Sequence, residues 1–303
     1  MNAPIRLSTD LLRSMPLPHP GDDGDKEARG RVLVIAGSVE IPGAALLAGT
    51  AALRAGAGKL QIATCRSVAP HLGLAVPEAR VIGLPETLAG GIAPQAAEQL
   101  LDAAGGCGAV LLGPGMMDRE ASAALTAALV AGLDEGPVLI LDAGAFVGLG
   151  SARDALARRA GRTILTPHAG EMAALQGIER AAVEGDTLDT ARRTATDFKS
   201  VVALKGACTC IVSPSGEAWT YEDGNVGLAT SGSGDTLAGV VAGLAARGAD
   251  PLRATLWGVH LHGEAGNRLA RSRGPLGFLA RELLAEIPAL MAEPAPYPSA
   301  SGS

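Results

Sequence analysis

A set of short apolar runs that do not alternate with polar residues restricts this chain more than any other feature. Segments 31–37, 60–64, 109–112, 138–141, 163–165 and 201–204 are nearly continuous Val, Ile, Leu and Ala, and most close on Gly, Asp, Thr-Pro or Lys-Gly. A strand with one wet face alternates, whereas a strand covered on both faces does not. Between these runs lie Ala/Leu-rich stretches of helical length at 43–55, 94–104, 121–131 and 187–198. Strand, helix, strand at this rhythm predicts an α/β fold in three layers, with a mostly parallel central sheet between helices. After Lys205 the rhythm breaks: 209–213 and 217–221 flank Pro214-Ser215-Gly216, the pattern of an antiparallel hairpin near the C-terminal part. Helical patterns follow at 235–247, 251–271 and 280–291.

Residues 31–292 are expected to form one domain, since no linker or repeat interrupts them. Residues 1–30 mix prolines with the charged run 21–27 and read as a flexible N-terminal arm, and 293–303 read as a disordered tail.

Composition narrows the function. A formal net charge of −6 argues against a phosphate-coating nucleic-acid binder, and three Phe, two Trp and two Tyr in 303 residues argue against base-stacking platforms. No apolar run reaches membrane-spanning length. Four cysteines in so long a chain do not make a disulfide framework, so a reduced, soluble, cytoplasmic protein is expected. Lysine occurs only at 26, 59, 199 and 205, which makes a lysine inside a motif informative.

The sharpest motif is Gly232-Ser233-Gly234-Asp235, running directly into an apolar helix. Glycines allow close backbone approach, and the first N–H groups of a helix lack internal partners, so Gly232, Ser233 and Gly234 suit an anion hole for a phosphoryl group. Asp235 opposes phosphate by charge. It suits a base that takes a proton from an attacking hydroxyl, although a helix cap is the plain alternative. Leu204-Lys205-Gly206 ends a strand and turns into another, where the backbone and Thr209 can meet phosphates; an ordinary turn with a solvated lysine explains it equally well. Cys208 and Cys210 share a strand face without a second Cys/His pair. In Thr166-Pro167-His168-Ala169-Gly170-Glu171, the imidazole can face a ligand and Glu171 can reach a hydrated Mg²⁺, with capping as the alternative for Glu171. Asp142, at the end of 138–141, can orient Mg²⁺ or cap a helix. The glycine turn at Gly37 admits a flat ligand, though no dinucleotide fingerprint is present, and Gly113-Pro114-Gly115 is too glycine-rich for a simple turn. His260 and His262 lie in a helical pattern and read as packing.

In this order, the motifs Ala36-Gly37-Ser38 with Pro42-Gly43-Ala44, Gly113-Pro114-Gly115, Leu141-Asp142-Ala143, Thr166-Pro167-His168-x-Gly170-Glu171, Lys205-Gly206 with Thr209, and Gly232-x-Gly234-Asp235 resemble those of the nicotinamide nucleotide hydrate dehydratases of the ribokinase-like superfamily. The resemblance runs from about Val32 to Met291. It implies the ribokinase-like fold and ADP-dependent dehydration of (6S)-NADHX and (6S)-NADPHX, with ATP as the alternative donor and Mg²⁺ as cofactor. Asp235 would be catalytic. Ala44, Gly115, His168 and Asp235 would contact the hydrate, and Lys205, Gly206, Ala207, Cys208, Thr209 and Gly234 the adenine nucleotide. A homotetramer is also implied, and since many relatives carry an epimerase domain in front while fewer than forty residues precede the first strand here, a separate epimerase chain is expected. Two positions depart from the family's habit, Ala169 for Pro and Ser231 for Gly, and neither removes a reacting group. The rival readings are a vitamin-precursor kinase of the same superfamily, in which an Asn usually stands where this chain has His168, and a nucleotide-binding regulator without catalysis.

Overall fold

The computed structural model describes residues 3–19, 21, 25–133, 136–159 and 161–293. In chain order the elements are β1 (Ile5–Arg6), α1 (Thr9–Ser14), β2 (Arg31–Ile35), α2 (Gly43–Arg54), β3 (Lys59–Cys65), α3 (Ala69–Ala75), β4 (Ala79–Leu84), α4 (Ala97–Ala104), β5 (Ala109–Leu112), α5 (Arg119–Gly132) and β6 (Val138–Leu141). There follow α6 (Arg153–Arg158), β7 (Thr163–Leu165), α7 (Ala169–Gln176), α8 (Arg180–Gly185), α9 (Thr187–Phe198), β8 (Val201–Leu204), β9 (Thr209–Val212), β10 (Ala218–Tyr221), α10 (Ser233–Ala246), α11 (Pro251–Arg273) and α12 (Ala280–Ala292).

All ten strands form one sheet in the order β1-β10-β9-β8-β7-β6-β5-β2-β3-β4. From β8 to β4 every pairing is parallel, while β9 pairs antiparallel with both β8 and β10, as the hairpin pattern predicts. Two core clusters explain the missing alternation. Val32 and Val34 of β2 pack on one side with α2, α10, α11 and α12, whereas Leu33 and Ile35 pack on the other with α4, α5 and α9. In β5, Ala109 and Leu111 divide from Val110 and Leu112 in the same way.

Chain order runs β2-β3-β4 outward and then returns to β5 beside β2, so the winding reverses between those strands. A crevice opens at such a reversal, outside the carboxyl ends of the strands. There Gly37 N–H donates to the Pro114 carbonyl at 2.7 Å, and Gly113 N–H to that of Ile35 at 3.1 Å.

The small residues have a specific use. A Cβ on Gly239 would run into the Ala48 carbonyl oxygen, and one on Gly243 into that of Ala52, so α10 lies directly against the backbone of α2. The small-residue helix is therefore buried within the chain, and its N-terminus is held rigidly at the ligand edge.

Residues 3–19 are not the free arm expected from the prolines. Strand β1 adds to β10, Leu7 and Leu12 are buried, and Trp257 Nε1–H donates to the Met15 carbonyl at 2.8 Å. Each buried leucine is worth roughly 2 kcal/mol, enough to dock a short segment that composition alone marks as loose. The tail expected over 293–303 lies, beyond Glu293, outside the described residues.

Candidate active site

Each sharp motif lands at the carboxyl end of a parallel strand or at a helix start beside it. Gly115, with φ +67°, sits where a Cβ would come within 2.6 Å of Ala44 Cβ and 2.9 Å of the Ile41 carbonyl. The turn after β5 thus touches the first residues of α2. On the same helix, Leu47 packs against Gly232, which has φ +86° and begins α10.

At the start of α10 the backbone is partly open. Ser233 N–H donates to the Thr230 carbonyl at 3.2 Å, so it is already engaged. Among the described residues, the N–H groups of Gly234 and Asp235 make no hydrogen bond within the protein. Of the three residues expected to form the hole, Gly232 and Gly234 thus keep open N–H groups among the described residues, and Ser233 does not. The Ser233 hydroxyl lies 2.9 Å from His262 Nε2. Asp235 makes no capping bond. Burial first, then the carboxylates of Asp142 and Glu171, push its carboxyl up to about 6 against an opposing pull from Lys205. A base poised near neutrality has this character.

At the start of α7 the opposite holds. His168 Nδ1 accepts from the N–H groups of Gly170 at 3.0 Å and Glu171 at 3.2 Å, while Glu171 Oε2 accepts from His168 N–H at 2.8 Å. This is a capping box with histidine in the serine role. His168 Nε2, which then carries the proton, stands 3.3 Å from Glu171 Oε1. Both residues thus serve the helix, yet the imidazole stays 58% exposed.

Asp142 neither caps nor stands free for a metal. Its side chain makes no capping bond. Its Oδ1 takes Lys205 Nζ at 2.8 Å and the Thr166 hydroxyl at 2.8 Å. Lys205 is correspondingly not a solvated turn lysine. Burial lowers its affinity for a proton, but Asp142, Glu171 and Asp235 outweigh that and hold its pKa above the usual value.

A cavity of about 680 Å³ opens beside this corner, lined by His168, Lys205, Gly206, Ala207, Thr209, Ser233 and Gly234, with 224–226 and His262 on its far wall. Cys208, grouped with the nucleotide residues from sequence, lies outside this lining; it faces a neighbouring cavity of about 640 Å³ behind the same turn, with Arg180 and Thr187. Asp235, Ala44 and Gly115 also lie outside it. A larger cavity, about 810 Å³, lies away between α9 and the β9–β10 hairpin and holds none of these motifs.

Sequence reasoning passed over His262. It read His260 and His262 alike as packing, which fits His260, edge-on to Tyr221 with ring centres 6.1 Å apart. Their spacing was the signal, because a helix that buries one of two residues two apart turns the other elsewhere. Here it turns to Ser233, and burial drives its pKa down to about 4, leaving a neutral imidazole.

A sequence model of the NAD(P)H-hydrate dehydratase family matches residues 32–289, which include every residue of this corner. The chain belongs to that family. The dehydratase chain is 52% identical to a protein of Xanthomonas campestris named ADP-dependent (S)-NAD(P)H-hydrate dehydratase, over 94% of this chain and 95% of the relative. Its fold matches that of the Bacillus subtilis ADP/ATP-dependent NAD(P)H-hydrate dehydratase co-crystallized with ATP/Mg²⁺, with a TM-score of 0.80, 31% identity, and coverage of 97% of this chain and 100% of that one. A ribokinase-like superfamily protein from Enterococcus faecalis matches with a TM-score of 0.81 and 26% identity, covering 96% of each chain. The ribokinase-like fold expected of the dehydratase is thereby found.

Proposed function

We propose that this dehydratase repairs hydrated nicotinamide nucleotides by ADP-dependent dehydration of (6S)-NADHX and (6S)-NADPHX. The observation that carries the proposal is the open first turn of α10, where two unbonded N–H groups stand beside an uncapped carboxylate. Asp235 takes the proton of the C6 hydroxyl, whose oxygen bonds to the terminal phosphorus of ADP as the bond to AMP breaks. The N–H groups of Gly234 and Asp235 meet the moving charge. Lone-pair push from the ring nitrogen then breaks the C6–O bond, phosphate leaves, and loss of the C5 proton returns NADH or NADPH. In this reading Ala44, Gly115 and the exposed imidazole of His168 contact the hydrate. The nucleotide lies in the 680 Å³ cavity against the 205–209 turn.

Mg²⁺ fits sparsely. Among the described residues, no three His, Cys, Asp or Glu side chains converge to hold a metal. A donor set this thin suits an ion that takes its oxygens from phosphates and water, with Glu171 reaching it through water. Such an ion supplies neutralisation of phosphate charge.

A homotetramer rests on the resemblance alone, since α10 is consumed within the chain. Cytoplasmic location is supported by the four cysteines being free thiols and by the nucleotides the reaction needs. Among the described residues, no helix is long and apolar enough to cross a membrane.

The test follows absorbance in the reduced-nicotinamide band with NADHX, Mg²⁺ and either ADP or ATP. Recovery with ADP is expected. Accumulation of a stable phosphorylated product, without recovery, would favour the kinase reading, and silence with both donors the regulator.

A further inference from the structure

The best-defined polar contacts in the corner are ones the reaction as proposed leaves unused: Asp142, Thr166 and the Lys205 side chain. Asp142 is 1% exposed. Burying an ion pair rarely stabilises a fold by itself, because desolvation offsets the attraction. A lysine at a strand end ordinarily extends its ammonium into water along its flexible stem. Lys205 does the reverse, folding inward until its side chain is only 19% exposed.

Three adjacent strand ends fix it there. Thr166 N–H donates to the Leu141 carbonyl at 3.1 Å, and Lys205 N–H to the Pro167 carbonyl at 2.8 Å, so the ends of β6, β7 and β8 are tied in register. The Thr166 hydroxyl orients Asp142, and Asp142 holds the ammonium. On its other side the ammonium packs on the first turn of α10, 3.4 Å from where a Cβ on Gly234 would stand. That turn carries the unbonded N–H groups and Asp235.

Resting on the proposed reaction, we infer that Asp142, oriented by Thr166, is a positioning residue that fixes the Lys205 ammonium at the mouth of the anion hole beside Asp235. Lys205 then acts through its side chain on the base and on the arriving phosphoryl group, in addition to lending its backbone to the nucleotide cavity. The charged and titratable groups facing it are Asp142 from β6, His168 and Glu171 from α7, Asp235 from α10 and neutral His262 from α11. Three carboxylates around one ammonium make the corner negative, and less so when Asp235 accepts a proton. The ammonium is the single fixed cation among these groups, and its placement favours an ionised base.

Two measurements on the full chain test this. Carboxyl carbon NMR, without substrate or nucleotide, follows the Asp235 titration. Lys205→Gln should raise its midpoint above the wild-type value by at least half a pH unit. An unchanged or lower midpoint would overturn the effect on the base, and this readout stands even if the dehydratase assay is silent. In the dehydratase assay, Asp142→Asn should lower kcat about 10- to 100-fold, the cost of misplacing a fixed group by an ångström, with ADP affinity within threefold of wild type. The same substitution in the Lys205→Gln background should cost less than threefold. An equal cost in both backgrounds would show that Asp142 does not act through Lys205. If Asp142→Asn fails to fold, Thr166→Val replaces it in the same cycle, with the same outcomes deciding.

Discussion

Two helix starts face this site, and they are built in opposite ways. Helix α7 closes its own first turn, with His168 and Glu171 exchanging hydrogen bonds with its backbone. Helix α10 leaves the Gly234 and Asp235 N–H groups unbonded and its acidic residue uncapped. Both present a carboxylate at the third helical position, Glu171 in one and Asp235 in the other. The difference teaches that an acidic residue near a helix start becomes chemically available only when something else, here the packing of α10 on α2, holds the helix in place.

Removing the open carboxylate has the largest expected effect. Asp235→Asn should lower kcat by about 10²- to 10⁴-fold. Wild-type kcat should fall tenfold for each pH unit below about 6, where Asp235 becomes protonated, and the variant's residual rate should lack that limb. The sign for stability is opposite. A carboxyl raised from 3.8 to about 6 binds its proton more tightly in the folded state, so its contribution to stability declines as pH rises between those values. The asparagine variant should therefore be more stable than wild type at pH 7 by about 3 kcal/mol in denaturant unfolding. A variant that is both active and destabilised would make Asp235 a cap like Glu171.

Loss of the support comes next. Gly239→Val pushes α10 off α2 and should destabilise the fold by about 3 kcal/mol, read as a lower midpoint in urea. A normal midpoint would show that α10 is not held by that contact.

The closed helix start should respond through stability. Glu171→Ala opens the capping box at a cost of about 1 kcal/mol, while Glu171→Gln, which keeps an acceptor, should retain most of it. Thermal unfolding of the pair distinguishes a cap from a residue whose charge alone matters.

The smallest effect is expected at the Ser233–His262 contact. His262→Ala should reduce kcat about fivefold, the worth of one neutral hydrogen bond, and the factor should stay constant from pH 5 to 8. An imidazole already neutral above about 4 cannot add a titration there.

Much of the architecture was legible because two-sided burial leaves a direct mark on sequence. Strands β2, β5, β6 and β8 appear as unbroken apolar runs, and the hairpin announced itself through Pro214-Ser215-Gly216. Edge elements were harder to read. Strand β4 has one neighbour, alternates in burial, and carries Arg80 and Gly83; β1 is two exposed residues that gain meaning only from pairing with β10. The site divided in the same manner. Glycine turns and the run into α10 were visible, while the inward fold of Lys205 and the turn of His262 toward Ser233 were not.

Residue pattern alone marks the class of fold, the sheet edge proposed to take the ligands, and the residue types gathered there. Those follow from local pattern, since burial on two faces and the chemistry of strand ends are written in neighbouring residues. Which carboxylate caps and which stays free, and where the inward Lys205 finds its partner, emerge only in the folded chain. Those outcomes depend on contacts such as Lys205 with Asp142, 63 positions apart, and on the close seating of α10 against α2. Neighbouring residues carry no record of such contacts, because the free energy of each charge is set by whatever the completed fold places around it.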